Sequence, residues 1–302
     1  MKCLSDKCVK DARMHPNIQS QGPRILGRFL ERSTFQGYPK PSPAAVAFTA
    51  AALFLSSDSW ADEFIMESPD PVFRGEVFGP DSRDANPAKW QATFVFRGIE
   101  GSECTATAVG SRAVLTAAHC MSADAIGKIG AGEKGPKVTC QRHPSYISNK
   151  IADFALCLVA EHLPVPKDGF EIINIDPTAT PINAPVKLVG FGCRTKGGSD
   201  QVFGRLREGD SKVISTEVDQ IMTGGGGSTI CLGDSGGGAY LTIDDAQIRR
   251  RLVAINRKSD LESQSWLSLT ASPLFINWAR IWRNDRHVTI CGLDFADRNC
   301  HQ

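Results

Sequence analysis

Three residues far apart in the chain carry side chains that can share one reaction. Ser235 lies in Gly233-Asp234-Ser235-Gly236-Gly237, and His119 closes Leu115-Thr116-Ala117-Ala118-His119 ahead of Cys120. Between them stands Asp153, at the head of Asp153-Phe154-Ala155-Leu156. A serine flanked by glycines can occupy a tight turn that exposes its hydroxyl and aims neighbouring backbone N–H groups outward. Such N–H groups stabilise an oxyanion, the electrostatic core of acyl transfer. A His, an Asp and a Ser in this chain order are the parts of a Ser-His-Asp triad. Asp124 and Asp176 are alternative acids, but neither leads directly into an apolar run. His143, His162 and His287 stand beside no matching motif and read as surface or loop histidines.

The elements that must hold these residues read as strands. Short β-type runs alternate with turns: Thr93-Phe94-Val95-Phe96, Ala113-Val114-Leu115-Thr116, Lys137-Val138-Thr139-Cys140, and 154–159. Val186-Lys187-Leu188-Val189, Gly204-Arg205-Leu206-Arg207 and Lys212-Val213-Ile214-Ser215 follow, and beyond Ser235 come runs at 239–243, 251–255 and 266–269. Many short strands at regular spacing, with 28 glycines and 17 prolines mostly between them, indicate an all-β sandwich or barrel. The exception is Pro273 to Arg283, where Leu274, Phe275, Trp278, Ile281 and Trp282 recur at helical spacing. That stripe predicts a helix docked on the core.

The net charge of +1 gives no global field for nucleic acid or an anionic membrane. Residues 1–61 read as a signal peptide with a long basic leading region. Arg24, Arg28, Arg32 and Lys40 precede the apolar run 44–55, which is too short to span a bilayer, and Ser59-Trp60-Ala61 supplies small residues for a cut before Asp62. Residues 62–76 are acidic and aperiodic, as expected of a short propeptide, and residues 77–302 form the mature domain. Beyond the leader stand eight cysteines, Cys104, Cys120, Cys140, Cys157, Cys193, Cys231, Cys291 and Cys300. An even set without a Cys-x-x-Cys pair reads as four disulfides formed in an oxidising compartment, secreted or periplasmic. No histidine or second cysteine stands at metal-ligand spacing, so neither metal nor cofactor is expected.

With the His and Ser motifs and the Asp between them, the chain resembles the trypsin/chymotrypsin-like serine peptidases from about Val77 to about Trp282. Cys104-Thr105-Ala106-Thr107 and the run 77–83 are similar to bacterial secreted branches, including glutamyl endopeptidases. The resemblance implies two six-stranded antiparallel β-barrels and a C-terminal helix. His119 and Asp153 would come from the first barrel and Ser235 from the second. It implies Ser235 as nucleophile, His119 as general base, Asp153 as its orienting acid, and the N–H groups of Gly233 and Ser235 as oxyanion hole. It also implies a zymogen: cleavage before Val77 would free an ammonium to pair with Asp234. Glu76 at that cut is not a trypsin-type site, so self-activation does not follow.

Cys104–Cys120 matches the family disulfide beside the catalytic His. Cys193–Cys231, Cys140–Cys157 and Cys291–Cys300 are the further pairings it suggests. Thr229 and Ile230 should floor the primary pocket; an Asp at that position would select Arg or Lys, and Thr229 does not. Arg257 and Lys258 fall where relatives carry Ser-Trp-Gly, and both read as solvated charges, with attraction of acidic substrate residues as the alternative. The expected partners are a polypeptide substrate, an activating protease and protein inhibitors of a monomer, without nucleic acid and without membrane once the leader is gone. A serine endopeptidase is the leading reading. A catalytically silent binding protein on the same fold, or an esterase with the same triad, are the alternatives.

Overall fold

Burial alternates along the strands as a half-buried pleat requires. Lys137–Arg142 exposes Lys137 and Thr139 and buries Val138 and Cys140, and Arg207–Thr216 keeps the same period over most of its length. The structure is a computed structural model describing residues 77–79, 81–98, 101–121, 126–130, 135–193, 195–196, 204–243, 249–294 and 300. The expected leader, 1–61, and propeptide, 62–76, lie outside the described residues, as does Asp124.

Thirteen strands are described. The first barrel contains β2 (Thr93–Gly98), β3 (Glu103–Gly110), β4 (Ala113–Thr116), β5 (Ile126–Ile129), β6 (Lys137–Arg142) and β7 (Ala155–Val159). It closes in the order β2-β3-β4-β7-β6-β5, with every pair antiparallel. The second contains β8 (Pro185–Gly190), β9 (Arg207–Thr216), β10 (Gln220–Gly224), β11 (Gly238–Ile243), β12 (Arg249–Ser259) and β13 (Ser265–Leu269). Pairing of β8 with β9 closes it, and β1 (Ser82–Asp84) adds to the outer edge of β9. These are the two six-stranded antiparallel barrels expected. The run at 204–207 enters a strand only at Arg207, while β1, β3, β5 and β10 have no counterpart among the sequence runs.

The C-terminal helix, Pro273–Arg286, starts where Ser272 accepts the Leu274 N–H and Pro occupies the first turn, and it ends at His287 in the left-handed region, φ 50°. It buries Phe275, Trp278, Ala279 and Trp282. Ile281, read as part of the stripe, is instead 61% exposed, because the docked face stops short of it. Phe275 meets Phe154 with ring centroids 4.7 Å apart, so the helix packs on the residue immediately after Asp153.

All four cysteine pairs are joined as disulfides: Cys104–Cys120, Cys140–Cys157, Cys193–Cys231 and Cys291–Cys300. A buried ion pair ties the barrel connection to the second barrel. Arg250 of β12 donates from Nε to both oxygens of Glu171 at 3.0 and 2.9 Å, and its guanidinium lies 4.0 Å from the Trp90 ring centre. The Glu171 N–H in turn donates to Ala108 O of β3 at 3.1 Å. Loss of one member of such a pair costs about 3–5 kcal/mol. No described helix is long and apolar enough to cross a membrane.

Candidate active site

His119 sits in the short 3-10 turn Ala118–Cys120, just past the end of β4, and Asp153 stands two residues ahead of Ala155, where β7 begins. Because β4 and β7 pair antiparallel, with Thr116 opposite Ala155, these two ends are neighbours. His119 Nδ1 lies 2.6 Å from Asp153 Oδ2, and the His119 backbone N–H donates to Oδ1 at 2.9 Å. Asp153 is buried while the His119 side chain remains 34% exposed, so the carboxylate is shielded and the ring stays accessible. The Cys104–Cys120 disulfide backs this turn, its sulfurs within 4.8 Å of a His119 ring nitrogen. Both thiols are spent in that bond, which removes them as metal ligands.

Ser235 arrives from the second barrel on a turn pressed against β3 and β4. The Thr105 N–H donates to Ser235 O at 2.8 Å, and the Thr105 hydroxyl donates to Gly233 O at 2.9 Å. Cys120 Sγ stands 3.8 Å from Ser235 O, which places the serine turn beside the residue that follows His119. Gly236 makes this approach possible. A Cβ there would lie 2.2 Å from Thr116 Oγ1 and 2.4 Å from Thr105 O, and its φ of +80° also favours glycine. Among the described residues, no hydrogen bond joins the Ser235 hydroxyl to the His119 ring.

Asn256 of β12 holds the turn from the other side. Its N–H donates to Gly237 O and its carbonyl accepts from the Gly236 N–H, both at 2.8 Å. Its side-chain amide donates to Asp234 O and Val189 O, both at 3.1 Å. Neither Asn256 nor Thr105 carries a role in the sequence reading. Their hydrogen bonds reach residues remote in the chain, so nothing local marks them.

Two backbone donors of 231–237 stand apart from the rest. Cys231 N–H donates to Asp234 Oδ2, Leu232 N–H to Cys193 Sγ, and Asp234 N–H to Cys231 O. Gly236 N–H and Gly237 N–H go to Asn256 O and Asp234 O. The N–H groups of Gly233 and Ser235, both on partly exposed residues, alone have no acceptor among the described residues.

Asp234 is fully buried, and its carboxylate accepts from Gly192 N–H and Cys231 N–H, both at 2.7 Å. Burial pushes its carboxyl up to about 7, against the pull of those two N–H groups and of Arg207. Among the described residues no cation lies within ion-pair distance of it. Val77 is buried in the core of the second barrel. Phe78 pairs with Thr229, N–H to O at 3.2 Å and the reverse at 2.9 Å. Thr229 and Ile230 are both buried; Ile230 N–H donates to Ser265 Oγ and Ile230 O accepts from Ser259 Oγ.

Two expectations are overturned here. Arg257 is not a solvated charge: it is half-buried and donates from Nη2 to Gln220 Oε1 at 2.7 Å, whereas Lys258 is exposed with its ammonium 5.0 Å from the Trp266 ring centre. His143 is not a surface histidine either. It is buried between Phe154 and Trp278, and its Nδ1 accepts from Ser145 N–H at 3.1 Å. His162 and His287 are exposed, as read.

The profile of the family described as Trypsin matches residues 77–256, more than half of the chain. No curated protein matches the sequence. Among solved structures, a mutant of human heparin binding protein (CAP37) is similar, with 15% identity and a TM-score of 0.55. The match covers 68% of this chain and 96% of that one.

Proposed function

From the premise that this chain belongs to the trypsin family, we propose that it is a serine endopeptidase acting through Ser235, His119 and Asp153. Ser235 Oγ attacks the peptide carbonyl as its proton passes to His119 Nε2, giving a tetrahedral oxyanion. His119 then returns the proton to the departing amine, leaving an acyl-enzyme that water hydrolyses by the same two transfers. Asp153 keeps Nδ1 protonated and offsets the charge of the imidazolium. The Ser235–His119 hydrogen bond forms as substrate enters, since catalytic contacts are often looser without it.

The observation that carries this reading is the pair of unpaired N–H groups, Gly233 and Ser235, flanking the serine in a turn whose other donors are all engaged. They are the donors an oxyanion needs. Losing one donor from such a hole typically costs about 3 kcal/mol of transition-state stabilisation.

The reading extends to an exported precursor of the bacterial secreted type, released to the periplasm or the medium as a monomer. Cleavage between Glu76 and Val77 by another protease would free the ammonium that Asp234 lacks. Buried pairing of the two would then organise the pocket floored by Thr229 and Ile230, which suits a neutral or apolar residue. Protein inhibitors and polypeptide substrates would compete for the same cleft.

A fluorophosphonate probe tests the proposal. Protein cut before Val77 should label at Ser235 and the Ser235→Ala variant should not; uncut protein should label far more slowly. Absence of labelling after verified cleavage would leave a binding protein on a protease fold.

A further inference from the structure

The triad leaves unused Arg257 and the two cations around Tyr146. Arg257 occupies a bulge in β12, one residue past the Asn256 that holds the nucleophile turn. Its guanidinium uses Nη2 on Gln220; among the described residues Nη1 has no acceptor, nor has Nε, which is out of contact with water. The Gln220 amide also donates to Glu217 at 2.7 Å, so an amide stands between Arg257 and that carboxylate. The strand pairing carries this position to the triad. Gln220 opposes Ser268, whose hydroxyl donates to Ile151 O at 2.8 Å, two residues ahead of Asp153.

Tyr146, half-buried on the turn Pro144–Tyr146, completes the group. Lys150 Nζ lies 4.1 Å from its ring centre and the Arg142 guanidinium 5.8 Å. Burial and the Asp153 charge keep its hydroxyl protonated to higher pH than usual, so it remains a donor. Burial weakens the charged form of Arg257, opposed by Asp153, Glu217 and Tyr146. Among the described residues, Arg142, Lys150 and Arg257 have no carboxylate within ion-pair distance. Asp153 is turned to His119 through both of its oxygens and, among the described residues, forms no ion pair with them.

A half-buried guanidinium with its Nη1 unspent, sharing the field of a half-buried phenol that two further cations flank, suits a carboxylate brought from outside. We propose that Arg257, Tyr146, Lys150 and Arg142 form an accessory subsite for an Asp or Glu side chain of the polypeptide substrate, with Arg257 as anchor. The subsite takes a residue other than the one whose carbonyl is attacked. That one is served by Thr229 and Ile230, whose backbone is tied to Ser259 and Ser265, while the Arg257 side chain leaves β12 toward Gln220. The proposal rests on the endopeptidase reading and deepens it with a substrate class.

The test compares kcat/KM for peptide pairs that differ only by Glu or Gln at each position flanking the cut. A preference for Glu of about tenfold is expected at one position other than the residue before the cut, as a charge-assisted hydrogen bond gives. Arg257→Gln should bring that ratio close to one. Lys150→Gln, at an exposed position where folding is not at stake, should lower it by about two- to threefold, and 1 M salt should lower it further. Equal rates for Glu and Gln at every such position, or a preference that survives both substitutions, would overturn the subsite. A second arm measures binding of the same peptides to Ser235→Ala by fluorescence anisotropy. If wild-type protein fails to label with fluorophosphonate, the endopeptidase reading falls, and this arm still decides the subsite: equal binding of Glu and Gln peptides by this variant overturns it, and tighter Glu binding lost on adding Arg257→Gln sustains it.

Discussion

Asp153 spends both carboxylate oxygens on His119, Oδ2 facing ring Nδ1 at 2.6 Å and Oδ1 accepting the backbone N–H at 2.9 Å. The double attachment fixes both the ring and the turn that carries it. An Asn at this position keeps the shape but offers one acceptor and one N–H₂ donor to two groups that both need acceptors. Asp153→Asn should therefore fold normally by circular dichroism and lose kcat by a factor on the order of 10⁴ on a peptide substrate.

Gly236 lets the serine turn touch the first barrel, and Gly101 supplies a control at the same φ of +80° with open space around it. Gly101→Ala should cost only the backbone penalty, about 1–2 kcal/mol. Gly236→Ala adds a collision with Thr116 Oγ1 and Thr105 O, worth roughly a further 1–3 kcal/mol. Urea denaturation of the two variants measures the difference, and only Gly236→Ala should also abolish labelling of Ser235.

Asp234 makes the uncut protein sensitive to pH in an unusual direction. Its carboxyl titrates near 7 in the fold, against an ordinary value of 3.8, because burial disfavours the charge. The native state then holds a proton that the unfolded state has released, so its contribution is full below about 4 and is lost as pH rises through 7. The loss is on the order of 4 kcal/mol for a shift of about three units. Thermal melts between pH 4 and 7 should show a falling Tm for uncut wild type relative to Asp234→Asn. Cleavage before Val77 should remove that relative slope, since the new ammonium favours the ionised carboxylate.

His143 works in the opposite sense. Desolvation lowers its pKa, only partly countered by its bond to Leu274 O and by Asp219. Ser145 N–H donates to Nδ1, so Nε2 carries the proton that faces Leu274 O at 3.2 Å. A second proton would displace the Ser145 bond at the seat of the C-terminal helix. The stabilisation is present above the ordinary histidine value of 6.5 and is lost as pH falls through the lowered one. The Tm advantage of wild type over His143→Gln should shrink between pH 7 and 5.

The candidate reactive residues are legible because their signals are local. A serine among glycines, a histidine beside a cysteine and an aspartate heading an apolar strand each declare themselves within a few positions, and short apolar alternation declares the β class. Signals fade where the local pattern is weak. Ile126–Ile129 contains a glycine and one exposed isoleucine, and Gln220–Gly224 leads into a glycine run, so neither reads as a strand until its neighbours pair with it. His143 reads as a loop residue because the ring is buried by Trp278, which arrives from the far end of the chain.

From sequence alone follow the candidate serine, histidine and aspartate, the disulfide-rich all-β class and the family. Tertiary structure alone decided what the site's surroundings are. Asn256 and Thr105 hold the serine turn, Gly233 and Ser235 keep their N–H groups unspent, and Arg257 lies half-buried among other cations. The reason is the reach of the interactions. The Thr105–Gly233 bond joins residues 128 apart in the chain, and the partner of a buried donor is set by which strands the barrels bring together.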